Sequence, residues 1–342
     1  MLLNIPENPR FLLVGAGDLA KYILRRLDQY FDQYFLITCS DWDQAWSLND
    51  KTPIVEIAGE KGIDLLDSES YEDVEPFIEK FKPNIGMTSG AKWIFRPDFL
   101  RSFQGCFFNY HPANLPRYRG GGGFSWQIMN GMTETFVTIH QMAAELDAGA
   151  IAFQDKIFVS ERPLPRDFHK TTVTLARDVM DRFLQLLAEN RGKAIELTKQ
   201  DEGESLYFPL RDAAVNGAID FDWDIEAVER FIRAFSYPYA GAFTYYRGKP
   251  VQIYEADIVS REGYHPHTWG MITSCFDNGD VKVMANGGCL RIKKIRRQGK
   301  LRAPGEVFKI GYKLYTPADE LVKGRMHRPR YKDFLLDISR DD

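Results

Sequence analysis

Apolar and polar positions follow two different rhythms along this chain. In roughly the first 190 residues, short apolar runs alternate with stretches of helical spacing. Phe11, Leu12, Leu13 and Val14 form an apolar run that ends in a glycine turn. Residues 18–30 then place Leu19, Ile23, Leu24 and Leu27 on one helical face. Strands are predicted over 34–39, 84–88, 105–110, 137–140 and 150–159, and helices over 71–81 and 97–103, the latter started by Pro97. Residues 169–189 predict a long amphipathic helix with Val173, Val179, Phe183 and Leu187 as its apolar stripe. This βα alternation predicts an α/β fold with a doubly wound, mostly parallel, Rossmann-like sheet.

The second rhythm begins after a polar linker, Lys199 to Ser205 (KQDEGES). A short helix over 225–235 is followed by strand-like pieces separated by glycine turns: GAFTYYRG, KPVQIYEADIV, WGMITSCF, DNGDVKVMAN and GGCLRIKKI. That pattern predicts a small antiparallel barrel or sandwich. The expected organisation is an α/β domain over 1–204, a smaller β-rich, barrel-like domain over 205–310, and an extension over 311–342 to which the pattern assigns no role. A length of 342 residues agrees with about two domains of ~150 residues each.

Composition narrows the class. Hydrophobic residues are 44% and charged residues 27%, which argues against disorder, collagen and coiled coil. No apolar run is long enough for a transmembrane helix, and the N-terminus lacks a basic region followed by an apolar one, so a cytoplasmic chain without membrane contact is expected. The four cysteines show no CxxC spacing and predict neither a disulfide framework nor a metal site. Net charge is −4, but residues 1–204 carry 22 Lys+Arg against 30 Asp+Glu, whereas 205–342 carry 22 against 18. The basic excess of the second half points toward an anionic ligand: a nucleotide, a polyphosphate or RNA.

The first candidate motif is Gly15-Ala16-Gly17-Asp18-Leu19-Ala20, which matches the G-x-G-x-x-A dinucleotide fingerprint, with Asp41 and Asp43 near the end of the next predicted strand. Alone it suggests a NAD-binding protein. The plainer reading is a tight βα turn, and stronger chemistry lies elsewhere.

Residues 107–131 read FFNYHPANLPRYRGGGGFSWQIMNG. Asn109 and His111 sit two apart at the end of an apolar strand, so they share a face beside the usual ligand crevice of a parallel sheet. Pro112 and Pro116 stiffen the exit loop. Arg117 and Arg119 add positive charge, and Gly120 to Gly123 expose backbone N–H groups before a predicted helix. Asp147 follows, within Leu-Asp-Ala-Gly-Ala. An amide, an imidazole and a carboxylate suit acyl transfer to an amine. The amide N–H donates to a developing oxyanion, and the imidazole, with an ordinary pKa of ~6.5, takes the amine proton. Direct attack by the amine requires no side-chain nucleophile. His140 and His169 read as structural or surface histidines.

The ordered string Asn-x-His-Pro-x-x-Leu-Pro-x-Tyr-Arg-Gly, then Asn-Gly, Thr-x-His-x-Met and Leu-Asp-Ala-Gly-Ala-Ile resembles the folate-dependent formyltransferases. The resemblance is densest over 84–157 and continues in Ile219-Asp220-Phe221-Asp222-Trp223 and in Ala240-Gly241-Ala242-Phe243-Thr244. It implies 10-formyltetrahydrofolate as formyl donor, no metal, and Asn109, His111 and Asp147 as catalytic residues. It also implies two loops that hold the pterin largely through main-chain groups. One supplies Thr88, Ser89, Gly90, Ala91 and Trp93; the other supplies Met142, Ala143 and Leu146.

Within that resemblance three acceptors compete. The glycinamide ribonucleotide enzymes match only the first domain. Methionyl-tRNA formyltransferase matches the length, and Arg291 to Arg302 (RIKKIRRQGKLR) carries seven basic residues. But its Gly-Thr-Pro turn and basic insertion are replaced here by GAGDLA and the acidic CSDWDQAWSLND. The arrangement RYRGxxxxxW, a following MNG, and TxHxMxxxxDAGAI are similar to the amino-sugar N-formyltransferases of lipopolysaccharide assembly. That likeness implies a nucleotide-linked amino sugar as substrate, with Arg117, Arg119, Gly120, Gly121, Gly122 and Trp126 as its contacts. It also implies a homodimer, with no nucleic-acid partner.

Overall fold

The computed structural model describes residues 1–91 and 93–329. In the first half the strands are β1 (Leu2–Asn4), β2 (Arg10–Gly15), β3 (Gln33–Thr38), β4 (Leu65–Asp67), β5 (Ile85–Ser89), β6 (Phe107–His111), β7 (Arg119–Gly120), β8 (Glu134–Gln141), β9 (Ile151–Phe158), β10 (Ala194–Glu196) and β11 (Tyr207–Phe208). The helices among them are α1 (Gly17–Arg26), α2 (Ser40–Trp46), α3 (Ile54–Glu60), α4 (Val74–Phe81), α5 (Pro97–Ser102), α6 (Gly123–Met129) and α7 (Pro165–Glu189). Seven strands form one sheet in the order β4-β3-β2-β5-β6-β8-β9. The first five run parallel; β8 and β9 are antiparallel additions.

Strand alternation explains the two-sided core. Phe11 and Leu13 of β2 point into one apolar cluster with α1 and α7, whereas Leu12 and Val14 point into another that contains Phe77, Phe99 and Phe103. Two segments lacked a clear periodic signal. The acidic stretch after β3 folds as α2, and Ile54, Ile57 and Ala58 of α3 pack into the core.

The second half contains α8 (Ala213–Asn216), α9 (Ile225–Ala234), β12 (Ala242–Tyr246), β13 (Lys249–Ser260), β14 (Ile272–Cys275), β15 (Val281–Ala285), β16 (Gly288–Arg297), β17 (Lys300–Arg302), α10 (Pro304–Val307), β18 (Leu314–Tyr315) and α11 (Ala318–Met326). Six strands pair in the order β14-β15-β16-β13-β12-β18, with β17 on β16. Leu314 N–H donates to Gly270 O at 2.8 Å and Ile272 N–H to Tyr312 O at 2.9 Å, so the two edges meet and the sheet closes barrel-fashion. Helix α9 packs Val228 and Ile232 into its core.

The halves are stitched together at the glycine run. Strand β11 pairs in parallel with β7, setting Tyr207 opposite Arg119, and Ser125 Oγ donates to Ala234 O at 2.9 Å. The segment predicted as a polar linker, 199–205, is held beside the loop that follows β6 by Gln200 and Glu202, which accept from Arg119.

Candidate active site

The carboxyl end of β6 carries Asn109 and His111, and β8 runs antiparallel beside it with His140 directly opposite Asn109. Directly paired residues on neighbouring strands project to the same face. Asn109 Nδ2 lies 3.1 Å from His140 Nε2. The other ring nitrogen, Nδ1, lies 2.9 Å from the Gln141 carbonyl, an acceptor only. The proton is therefore assigned to Nδ1, leaving Nε2 to accept from the Asn109 amide. Burial is the main reason the His140 pKa is pushed down to about 4, with the nearby Asp147 carboxylate opposing it. His140 is neutral at physiological pH and orients one Asn109 N–H, which leaves the other for a ligand.

Asp147 sits between two imidazoles. Its Oδ2 is 3.8 Å from His111 Nδ1 and its Oδ1 is 3.6 Å from His140 Nε2. The Gly120 N–H donates to Oδ2 at 2.8 Å. His111 Nε2 is 2.6 Å from the Tyr118 carbonyl, to which it donates, so Nδ1 is the nitrogen left to face Asp147 and exchange a proton. Asp147 has φ +53°, a left-handed conformation that Asp tolerates better than most residues. Gln200 holds this turn: its Nε2 donates to Asp147 O at 2.8 Å and to Gly149 O at 2.7 Å.

These groups open onto a cleft of about 1660 Å³. Thr88, Ser89, Gly90, Ala91 and Trp93 line it, as do Met142, Ala143, Leu146, Gly120, Gly121 and Gly122. The Thr88 hydroxyl is buried in the wall with no hydrogen-bond partner among the described residues.

Three predicted substrate contacts lie elsewhere. Arg119 is buried, and its guanidinium donates to Gln200 Oε1 at 2.9 Å and to Glu202 at 2.8 Å. It braces the Asp147 turn through Gln200 rather than facing the cleft. Arg117 is exposed and paired with Glu204. Trp126 donates from Nε1 to Pro209 O at 2.8 Å and does not line the cleft. The common cause is the 199–209 segment, whose acids and carbonyls occupy these side chains once it folds back. Sequence reading also undervalued His140, a signal recoverable only from strand register, and His169, which lines the cleft and lies 2.9 Å from Asp18. Burial works to raise the pKa of Asp18, but bonds from His169 and from the Asn49 and Asp50 amides bring it to about 2.

The glycine turn at 15–20 has a packing role. A Cβ on Gly15 would lie 2.1 Å from Ser89 O, so this glycine lets β2 and β5 approach. Asp43 is buried, accepts from Gly17 N–H at 2.8 Å and from Ile54 N–H at 3.1 Å, and pairs with Lys21 at 3.2 Å. Asp43, bound into the turn in this way, is not available to a ribose, so the NAD reading loses one of its two acids, while Asp41 is exposed at the cleft.

Residues 28–182 match the formyl transferase family model, and 214–313 match the model for the formyl transferase C-terminal domain. A curated methionyl-tRNA formyltransferase from Geotalea daltonii is 30% identical over 90% of this chain and 97% of its own length. This chain belongs to the formyltransferase family. Another methionyl-tRNA formyltransferase, from Caldanaerobacter subterraneus, is 27% identical over 89% of this chain and 97% of its own. Among solved structures, an N-formyltransferase from Helicobacter canadensis, bound to folinic acid and dTDP-3-aminofucose, aligns with TM-score 0.65 and 20% identity, covering 83% of this chain and 98% of that one. The sugar 3-N-formyltransferase WlaRD, with dTDP and 5-N-formyl-THF, aligns with TM-score 0.62 and 18% identity, covering 83% and 97%. These likenesses establish a formyltransferase fold. Among the described residues no group of three or more His, Cys, Asp or Glu is placed to hold a metal ion, and no helix is long and apolar enough to cross a membrane.

Proposed function

We propose that this formyltransferase moves a formyl group from 10-formyltetrahydrofolate to the amine of a nucleotide-linked amino sugar. The observation that carries the reading is the cluster of Asn109, His111, His140 and Asp147 opening into one cleft with the Thr88–Trp93 and Met142–Leu146 walls. The donor's pterin fits between those loops, where backbone groups supply hydrogen bonds. The acceptor amine attacks the formyl carbon. Asn109, oriented by His140, donates to the oxygen that becomes anionic. His111 Nδ1 takes the proton the amine sheds, and Asp147 stabilises the imidazolium. As the bond from the formyl carbon to N10 of the folate breaks, His111 returns that proton to the leaving nitrogen. The new C–N bond leaves an amide and tetrahydrofolate.

Two observations support a sugar nucleotide over tRNA. Most of the basic run 291–302 is already neutralised: Arg291 pairs with Asp280 at 2.6 Å, Lys293 with Asp257, Lys294 with Glu255 at 3.5 Å, and Arg302 with Glu306 at 3.6 Å. Such a face offers few free cations to an RNA backbone. The two sugar enzymes aligned above superpose with TM-scores of 0.62 and 0.65, against 0.51 for a methionyl-tRNA formyltransferase from Clostridium thermocellum. The second reading, methionyl-tRNA formyltransferase, is favoured by the names of the curated relatives at 26–30% identity. A homodimer in the cytoplasm completes the proposal; Ile310, Tyr312 and Tyr315 are apolar groups that the C-terminal half leaves exposed for such a contact.

The deciding experiment supplies 10-formyltetrahydrofolate with a panel of dTDP-, UDP- and GDP-linked amino sugars and, in parallel, with charged initiator tRNA. Formylation of a sugar nucleotide is expected. Turnover of the tRNA alone would overturn the sugar assignment.

A further inference from the structure

With Arg117 and Arg119 occupied by glutamates, the positive charge at the cleft has another source. Two guanidinium groups line it, Arg211 and Arg328. Neither belongs to the catalytic half, and neither forms an ion pair among the described residues. The Arg211 side chain lies with its guanidinium carbon 3.7 Å from the centroid of the Trp126 ring, and its Nε is buried without a hydrogen-bond partner. The adjacent acid, Asp212, is turned away: it caps Ala214 N–H at 2.9 Å and faces His327 at 3.9 Å. Arg328 donates one amine to the carbonyls of Arg325 and His327, both at 3.1 Å, which leaves the rest of its fork for a ligand.

Both groups are held in place. Gly324 of α11 packs so closely on α8 that a Cβ there would meet Val215 O at 2.9 Å. Asn216 donates to Gly324 O at 2.7 Å and to His327 O at 3.1 Å, and Arg325 pairs with Asp220. The end of α11 is thus docked against the barrel-like half, and Arg328 follows from it. Tyr207 connects this corner to the reaction centre: its ring packs on Gly120, and its hydroxyl feels the charges of both Asp147 and Arg328. Burial first, and then the charge of Arg328, lower the Arg211 pKa to about 10. Two cations that repel each other at a half-buried corner, neither paired with an acid among the described residues, are suited to an incoming polyanion.

We propose that Arg211 and Arg328 form a two-guanidinium clamp for the diphosphate of the acceptor, so that the C-terminal segment 318–329 completes the active site. The inference rests on the sugar-nucleotide reading above and adds the residues that recognise the nucleotide. Each guanidinium presents a planar fork of donors that matches phosphate oxygens two at a time, and stacking on Trp126 fixes the plane of one fork in advance. A diphosphate supplies two adjacent charged groups to two adjacent cations. The linked sugar then extends past Tyr207 and Gly120 toward His111.

The test uses the full chain and the variants Arg211→Gln, Arg211→Lys and Arg328→Gln. Binding of inorganic pyrophosphate, dTDP and 5-formyltetrahydrofolate is measured by calorimetry, and turnover is measured with the sugar nucleotide that the panel identifies. Each glutamine variant is expected to weaken pyrophosphate and dTDP binding by about tenfold or more, the loss of one charge-assisted fork. KM for the sugar nucleotide rises in step, while kcat at saturation and folate binding stay near wild type. Arg211→Lys, which keeps charge but loses the fork, falls between. Unchanged folate affinity and melting temperature show that the variants fold. If the wild-type enzyme formylates a sugar nucleotide and the glutamine variants match its KM, the clamp is wrong and the proposed function stands. If the wild type binds no pyrophosphate and turns over only tRNA, the diphosphate assignment falls together with the sugar reading.

Discussion

Replacing Asp147 with Asn isolates the carboxylate charge from everything else that residue does. Asn is nearly isosteric and tolerates the left-handed backbone at φ +53°. Its side-chain oxygen still accepts from Gly120 N–H, a 2.8 Å bond in the native protein, and the Gln200 bond to the 147 carbonyl is untouched. What disappears is a negative charge 3.8 Å from His111 Nδ1 in a pair whose side chains are 10% and 9% exposed. At that separation and an effective dielectric of ~20, a carboxylate and an imidazolium attract by about 4 kcal/mol. Solvent and the lost desolvation cost reduce the net effect, so a barrier increase of ~3 kcal/mol, or ~100-fold in kcat, is the working figure. The assay is single-turnover formyl transfer under saturating donor and acceptor, with calorimetric binding of 5-formyltetrahydrofolate as control. Expected are a ~100-fold slower transfer step and folate affinity within twofold or so of wild type. A variant that folds, binds folate and transfers within about fivefold of wild type would refute the charge-based role of Asp147.

Four further outcomes follow from the same geometry. His140 is held neutral with its pKa at about 4 against an ordinary 6.5, so the unfolded chain binds the extra proton first as pH falls. Its contribution to stability is complete above 6.5 and is lost toward 4, at no more than about 1.4 kcal/mol per pH unit; urea midpoints measured from pH 7 to 4.5 should fall less steeply in His140→Gln than in wild type. His140→Leu should slow transfer by ~10-fold without changing folate affinity, because Asn109 loses the acceptor that orients it. Gly120→Ala places a Cβ 2.2 Å from Phe208 O at φ +97°, so thermal unfolding should show a loss of ~2 kcal/mol or more from strain and a broken β7–β11 contact. Arg119→Met removes the Gln200 and Glu202 bonds and should lower stability by ~2 kcal/mol and kcat severalfold, while KM for the acceptor stays constant; a KM effect alone would return Arg119 to the substrate.

The gathering of Asn109, His111 and Asp147, and of the two loops that line the cleft beside them, was legible because it depends on local order. Asn109 and His111 share a face through strand alternation. The glycines and prolines around them dictate turns by their own backbone limits, and the Asp147 motif comes in family order. The assignment of arginines was not legible. Arg117 and Arg119 lie beside the site in sequence, yet Glu202 and Glu204, more than 80 residues later, take their charge.

The chain's own pattern determined the two halves, the parallel sheet and the chemistry at the end of β6, because periodicity, turn residues and i,i+2 spacing act over a few residues. Tertiary structure decided three things that no local rule reaches. Strand register set His140 against Asn109. The fold-back of 199–209 made Arg119 a brace and Arg117 a surface pair. The docking of α11 brought Arg328 across more than a hundred residues to Arg211. Each is a pairing of charges or hydrogen-bonding groups distant in the chain, and such pairings are settled by which surfaces the folded core brings together.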